Sequence, residues 1–173
     1  MKPTMEPLVD TVIEDPRWEA VGLPALADKA AGATFRELGL PMEGFSLCVM
    51  GCDDARIAGL NGEFRKKGVP TNVLSFPAQN RAADVPGLAP DLPAAGDASD
   101  PEDLGDIAIS HDTCAREAAE QGKDLSQHVT HLVVHGILHL LGYDHIGDAD
   151  AALMEGLEAR ILASLGVDDP YAA

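Results

Sequence analysis

The feature that most constrains the fold is an apolar segment, residues 125–141, that carries histidines at helical spacing. Asp124 and Gln127 have the spacing of a capping box, which predicts that a helix begins at residue 125. Gly142 can adopt the left-handed conformation that ends a helix, so it predicts the C-terminus. A helix that is apolar on almost every side must lie in the middle of the fold. The apolar residues concerned are Leu132, Val133, Val134, Ile137, Leu138, Leu140 and Leu141.

Three histidines in and after this helix predict a metal site. His135 and His139 are four residues apart, so both imidazoles project from one face of the helix. Beyond Gly142 the chain can turn back and bring His145 to the same point. Three imidazoles with a fourth position left for water are the ligand set of a catalytic zinc site. The competing interpretation, histidines packed in the core, leaves buried polar rings without partners, and a shared metal ion removes that cost.

Other polar residues nearby are candidates for supporting roles. Histidine ligands usually donate their second ring nitrogen to a carboxylate or a carbonyl, and Asp144 beside His145 could accept such a bond. Asp144 could equally form hydrogen bonds within its own turn. His131 lies on the same stripe of the helix and is expected to contact the ligands rather than the metal. His128 is expected on the surface, and Glu158 of the following helix is expected in solvent.

Residues 135–145, HGILHLLGYDH, closely resemble the HGxLHLxGYDH signature of the YbeY family. TNVLSFP at residues 71–77 and LGDIAIS at residues 104–110 resemble the same family, so the resemblance covers about residues 45–165. It implies a zinc-dependent, single-strand-specific endoribonuclease that acts in maturation of small-subunit (16S) ribosomal RNA and in ribosome quality control. It also implies that ribosomal RNA and the small ribosomal subunit are partners, with ribosomal proteins or an assembly GTPase as further candidates.

Arg65 is the candidate for a further catalytic residue. It opens the basic triplet Arg65-Lys66-Lys67 and corresponds to an arginine that precedes TNVLSFP in the family, which implies a catalytic role. A guanidinium beside a metal ion would stabilise the charge that accumulates on phosphate oxygens during phosphodiester cleavage. The alternative is a solvated charge cluster that complements the dipole at a helix C-terminus.

The spacing of His135 and His139 also occurs in HExxH metalloproteases, where the residue after the first histidine is the glutamate that acts as general base. Here that residue is Gly136, which argues against peptide hydrolysis by this mechanism. Two further functions stay open: a ribosome-assembly factor with a structural metal, and a metal-dependent hydrolase for another substrate. Three protein ligands favour an enzyme, because structural zinc normally has four.

Composition limits the function further. Twelve Lys and Arg against 29 Asp and Glu give a net charge of −17, which disfavours direct attraction of a polyanion. RNA contact would then require a local positive patch, the metal ion or a partner. No signal peptide and no apolar run of about 18 residues is apparent, so the expectation is a cytoplasmic protein without membrane contact. The three cysteines are expected to be free thiols.

Alternating strand and helix patterns predict an α/β fold in a single domain of residues 1–173. Strands are expected near residues 8–13, 45–51, 73–76 and 104–110. We expect a small mixed four-stranded sheet covered by about five helices, with the histidine-bearing helix at its centre. Residues 78–103, rich in proline, alanine, glycine and aspartate, predict a long mobile loop.

Overall fold

The structure, a computed structural model, describes residues 9–65, 68–83, 85–97 and 99–171, without the side chains of residues 64 and 65. Within these residues the chain forms four strands and six helices. The strands are β1 (Val9–Ile13), β2 (Phe45–Cys52), β3 (Val73–Pro77) and β4 (Glu102–Ser110). The helices are α1 (Arg17–Val21), α2 (Leu23–Leu38), α3 (Asp54–Arg65), α4 (His111–Gln121), α5 (Leu125–Leu140) and α6 (Asp148–Ser164).

The sheet is mixed and four-stranded, as predicted, with strand order β1-β2-β4-β3. Strands β1, β2 and β4 run parallel, and β3 pairs antiparallel with β4 at one edge. The parallel pairs are connected through helices, because a parallel connection must cross over a face of the sheet. The prediction placed the start of β1 at residue 8, which lies outside the described residues.

The described part of the chain contains six helices rather than about five, because Gly22 divides the first helical region. Gly22 has a φ of 74°, and its backbone N–H bonds to the carbonyls at the end of α1. Pro24 then stands in the first turn of α2, where a missing N–H costs no helical hydrogen bond. The left-handed Gly22 and the proline two residues later therefore divide this region into two helices.

Helix α5 lies at the centre of the main core, as predicted. It packs against β3 and β4 on one side and against α2, α4 and α6 on the others. Its N-terminus is capped by Asp124, whose side chain accepts hydrogen bonds from the N–H groups of Ser126 and Gln127. On the sheet, Ile107 and Ile109 of β4 face this core. The opposite face is covered by α3, whose Ile57 packs in a smaller cluster with Cys52, Leu74 and Ala108.

The segment between β3 and β4 lacks helices and strands in its described residues, but it is fastened to the domain at several points. The N–H of Gly87 donates to Asp150 Oδ1 at 2.7 Å, which ties the segment to the start of α6. The N–H of Gly96 donates to the carbonyl of Gly44 at 2.8 Å. Residues 102 and 103 belong to β4, so the connection is shorter than expected. Its mobility stays a prediction.

Among the described residues, every helix is too short or too polar to cross a membrane.

Candidate metal centre

The pair His135 and His139 lies on the face of α5 that borders an open cleft. The two side chains are half-buried, and their Nε2 atoms lie 3.1 Å apart. Helical geometry places them one turn apart, as their spacing predicts. The rest of α5 is buried in the core, which fixes the direction in which both rings point.

The turn after α5 brings the third histidine to this pair. The helix ends where the N–H of Tyr143 bonds to the carbonyl of Leu138 at 3.0 Å. Gly142 has a φ of 105°, a conformation that favours glycine, and the chain reverses there. The centroid of the exposed His145 ring then lies 5.1 Å from that of His135 and 5.0 Å from that of His139.

The geometry of the three rings fits a metal ion. One nitrogen from each of His135, His139 and His145 lies within 4.8 Å of the other two. Nitrogen ligands about 2.1 Å from an ion are roughly 3–3.5 Å apart, which matches the observed 3.1 Å between the first two. Within residues 9–65, 68–83, 85–97 and 99–171, no fourth His, Cys, Asp or Glu joins this group.

The protonation of His139 supports the same conclusion. Burial, followed by the neighbouring imidazoles of His135 and His145, lowers the pKa of His139 from 6.5 to about 4. His139 is therefore neutral at physiological pH, which is the form that ligates a metal. A hydrogen bond with the backbone of Tyr143 acts to raise this pKa, but burial and the two imidazoles outweigh it.

Glu158 was expected in solvent, and that expectation is wrong. This residue of α6 is fully buried, and its Oε1 lies 2.6 Å from Nδ1 of His135. Burial would raise the pKa of this carboxyl, but hydrogen bonds from His131, His135 and Tyr171 outweigh it and lower the pKa to about 2. The sequence carried a signal for this position: Glu158 follows the buried Met154 by four residues and precedes the buried Ile161 by three.

His131 lies where its spacing predicts, beside the ligand pair. Its Nε2 lies 3.5 Å from Glu158 Oε1 and 3.3 Å from the hydroxyl of Tyr171. Glu158 therefore lies between His131 and His135 and links them. His131, His135 and Glu158 also form a second group whose potential metal-ligand atoms lie within 4.8 Å of one another. The 2.6 Å between His135 and Glu158 is a hydrogen-bond distance, shorter than the separation of two ligands on one ion.

Two other expectations about polar residues are resolved by the structure. His128 is buried rather than on the surface, because α4 packs over it, and its Nε2 lies 3.0 Å from Glu117 Oε1. Asp144 accepts a hydrogen bond from the N–H of Ile146 at 2.6 Å, which is the turn interaction of the two alternatives. Among the described residues, Asp144 makes no hydrogen bond with an imidazole.

Gly136 faces the sheet and not the cleft. A Cβ at this position would lie 3.0 Å from Ile107 Cδ1 and 3.2 Å from Ser75 Oγ. The glycine therefore allows α5 to lie close to the sheet. A glutamate here would have to enter the core instead of reaching the metal, so the position cannot supply the base of an HExxH protease.

The family profile described as endoribonuclease YbeY matches residues 16–166 of this chain. The chain belongs to the endoribonuclease YbeY family. Three relatives named endoribonuclease YbeY match nearly the whole chain. The relative from Cereibacter sphaeroides is 66% identical, and the match covers 96% of this chain and all of the relative. The relative from Dinoroseobacter shibae is 56% identical, and the match covers 99% of this chain and 97% of the relative. The relative from Ruegeria pomeroyi is 58% identical, and the match covers 94% of this chain and 97% of the relative.

The solution structure of TM1509 from Thermotoga maritima has the same fold. It covers 95% of this chain and 99% of its own, with a TM-score of 0.54 and 19% identity. At that identity the similarity concerns the fold alone, and the YbeY assignment depends on the sequence relatives. The single α/β domain with a mixed four-stranded sheet is thus the fold that the resemblance implied.

The cleft of this YbeY family member has a volume of about 680 Å³ and is open on one side. One wall is strand β3 with the residues before it, the second is the segment 79–82, and the third is the turn 142–146 with His135 and His139. Among the described lining residues Asp144 is the one carboxylate and Arg81 the one guanidinium. The remaining polar lining residues are neutral amides and hydroxyls: Asn61, Thr71, Asn72, Ser75, Gln79, Asn80 and Tyr143.

The two arginines near the cleft differ in what the structure shows. Helix α3 ends at Arg65, one turn beyond Asn61, which lines the cleft. The side chain of Arg65 and the residues Lys66 and Lys67 lie outside the described part of the chain. Arg81 was not predicted as a site residue. Its Nη2 pairs with Glu102 Oε1 at 3.0 Å, so much of its charge is neutralised within the protein.

Proposed function

We propose that this chain is a zinc-dependent, single-strand-specific endoribonuclease that acts in maturation of small-subunit (16S) ribosomal RNA and in ribosome quality control. The observation that supports the proposal best is the group of three histidines, without a fourth ligand among the described residues, that lines an open cleft. Membership of the endoribonuclease YbeY family supports RNA as the substrate.

His135, His139 and His145 are the proposed ligands of one zinc ion, with water in the fourth position. Bound zinc would lower the pKa of that water to about 7 and polarise a phosphoryl oxygen. Two of the proposed ligands project from a helix buried in the core, and the third follows a helix end at which the N–H of Tyr143 bonds to the carbonyl of Leu138. Such preorganisation is what a catalytic metal site requires.

The lining of the cleft suits a polyanion better than the rest of the chain does. The net charge of −17 repels phosphates, but the described lining residues include a single carboxylate, Asp144. Neutral side chains such as Thr71 and Asn80, which are not buried, can donate hydrogen bonds to phosphate or sugar oxygens without further repulsion.

Arg65 is the proposed cation at the reacting phosphate. The proposal is supported by the end of α3 at Arg65, one turn beyond Asn61, which lines the cleft. A guanidinium there would donate two parallel hydrogen bonds to the phosphate oxygens as their charge increases.

The acidic surface requires partners for the proposed activity. Phosphate contacts dominate the affinity of proteins for nucleic acids, and a chain of charge −17 has few to offer. We therefore propose that the small ribosomal subunit presents the RNA in the cytoplasm, with ribosomal proteins or an assembly GTPase as the contacting partners. The same charge favours a second candidate function, a ribosome-assembly factor that does not cut RNA.

Single-turnover cleavage of a labelled RNA by the purified chain separates the two functions. We expect cleavage of a single-stranded RNA but not of the same sequence in a duplex. A chelator should abolish the cleavage, and added zinc should restore it. His139→Ala should be inactive, whereas His111→Gln, which changes a histidine packed on Trp18, should keep the activity.

An inert wild-type chain with its metal bound, tested on both free RNA and purified small subunits, would contradict the endoribonuclease proposal. If this inert protein still restored ribosome assembly in cells that lack the gene, the assembly-factor function would replace the endoribonuclease function. Cleavage that persists in His139→Ala would contradict the metal-dependent mechanism.

A further inference from the structure

A fully buried carboxylate, that of Glu158, lies behind the metal-ligand pair. Its relative exposure is 0%, and it is carried by α6, which packs on α5. An ionised carboxylate removed from water is costly unless several hydrogen bonds compensate for its lost hydration. Its position among apolar core residues therefore requires a specific set of partners.

The first partner defines the proton positions of His135. Glu158 Oε1 lies 2.6 Å from His135 Nδ1. A metal ion held between His135 and His139 would take the lone pair of His135 Nε2, so the ring proton belongs on Nδ1, which then donates to the carboxylate. In the neutral ring, Nε2 then presents a lone pair, and this atom is the one that faces His139 Nε2 at 3.1 Å.

The second carboxylate oxygen is bound by the segment that follows α6. The hydroxyl of Tyr171 donates to Glu158 Oε2, and its ring packs edge-on against His131 at a centroid distance of 5.6 Å. His131 Nε2 lies 3.5 Å from Oε1. The segment 165–171 thus folds back from the end of α6 and places its tyrosine between the carboxylate and solvent.

A second metal ion is a poorer explanation of this cluster. An ion shared by Glu158 and His135 would separate their ligand atoms to roughly 3 Å or more, whereas they are 2.6 Å apart. The donors present already occupy both oxygens of the carboxylate. The cluster is therefore a hydrogen-bond network that ends on a metal ligand.

We propose that Glu158 is a positioning residue that fixes the tautomer and orientation of His135, and that Tyr171 and His131 hold Glu158 in place. The inference rests on the proposed function, because it takes His135, His139 and His145 as metal ligands. It extends that site to α6 and to the segment after it. Such partners of ligating histidines typically change metal affinity by about 10–100-fold when they are lost.

The test compares Glu158→Gln and Tyr171→Phe with wild type, and uses Glu155→Gln as the matched control on the same helix. Zinc affinity is measured on the full-length chain by competition with a chromophoric chelator. We expect affinity to fall about 10–100-fold in Glu158→Gln. Tyr171→Phe, which removes one hydrogen bond from a partly exposed side chain, should lose about three- to tenfold. Glu155→Gln should stay within about twofold of wild type.

Proton NMR of the zinc-loaded chain provides a readout that a merely structural role would not change. The wild type should show a downfield, slowly exchanging resonance from His135 Nδ1–H, assigned by its loss in His135→Ala. In Glu158→Gln this resonance should move upfield and exchange faster, because a neutral acceptor binds the proton less strongly.

The parallel variant His139→Ala separates failure of this inference from failure of the proposed site. If His139→Ala loses zinc but Glu158→Gln binds it as wild type does and keeps the resonance unchanged, the positioning role is overturned. If His139→Ala binds zinc as tightly as wild type, the metal site itself is wrong, and the role of Glu158 is overturned with it.

Discussion

The carbonyl oxygen of Arg81 lies against Gly142, so closely that a Cβ at residue 142 would be 2.3 Å from it. Gly142 also has a φ of 105°, which residues with side chains rarely adopt. This contact joins two walls of the cleft, the segment after β3 and the turn that carries His145. The glycine is therefore needed both for the turn and for the approach of the opposite wall.

Gly142→Ala should destabilise the protein by about 1–3 kcal/mol through backbone strain alone, and the contact with Arg81 should add to this. Urea denaturation of the two proteins measures the effect. The matched control is Gly59→Ala on α3, where a Cβ meets nothing within 4 Å and helix propensity favours alanine. Equal midpoints for Gly142→Ala and wild type would contradict the described turn.

Gly136→Ala should also be destabilising, by about 1–3 kcal/mol, because the added methyl group overpacks the contact between α5 and the sheet. The new Cβ would lie 3.0 Å from Ile107 Cδ1. Thermal unfolding tests this against Gly32→Ala, another helical glycine, where the nearest atom is the end of Arg36 at 3.7 Å. A variant at residue 136 as stable as the one at residue 32 would mean that α5 does not lie so close to the sheet.

Arg65→Ala should lower the cleavage rate at saturating RNA by about 10²–10³-fold while the bound zinc stays unchanged. Arg65→Lys should recover part of the rate, since it keeps the charge but loses the planar pair of donors. Lys67→Ala is the control for removal of one positive charge from the same triplet. Full activity in Arg65→Ala with normal metal content would eliminate the proposed role.

The three cysteines should differ in their reactivity with thiol reagents. Burial raises the pKa of Cys52 to about 12, and burial also raises the pKa of Cys114. Since the thiolate is the reactive form, neither should react appreciably with Ellman's reagent near neutral pH in the folded chain. Cys48 is half-exposed and should react first, faster as the pH rises, because its pKa is also raised by burial. Rapid modification of all three would contradict the burial described.

Elements with strong local signals were predicted from the sequence. Helix α5 is an example, because its cap at Asp124, its apolar residues and its glycine end all lie within the segment itself. The turn to His145 was predicted for the same reason, since Gly142 and the histidine spacing are local features. The division of the first helical region also depends on local signals, since Gly22 has a positive φ and Pro24 follows two residues later.

Features that depend on packing between distant elements were missed. The pairing of Phe45 with Glu102 starts β4 two residues before its apolar pattern does. His128 is buried because α4 covers it, and Glu158 is buried because α6 packs on α5. Glu158 does lie at core spacing along its own helix, but a charged side chain is expected in solvent unless partners are known, and its partners lie on other parts of the chain.

The metal content of the purified chain tests the central claim most directly. Protein prepared without chelators and analysed for its elements should contain one divalent metal ion per chain, and the ion expected is zinc. His135→Ala, His139→Ala and His145→Ala should each contain almost none while remaining folded. A wild-type chain without metal that also fails to bind added zinc, or three variants that each keep a full equivalent, would contradict the account.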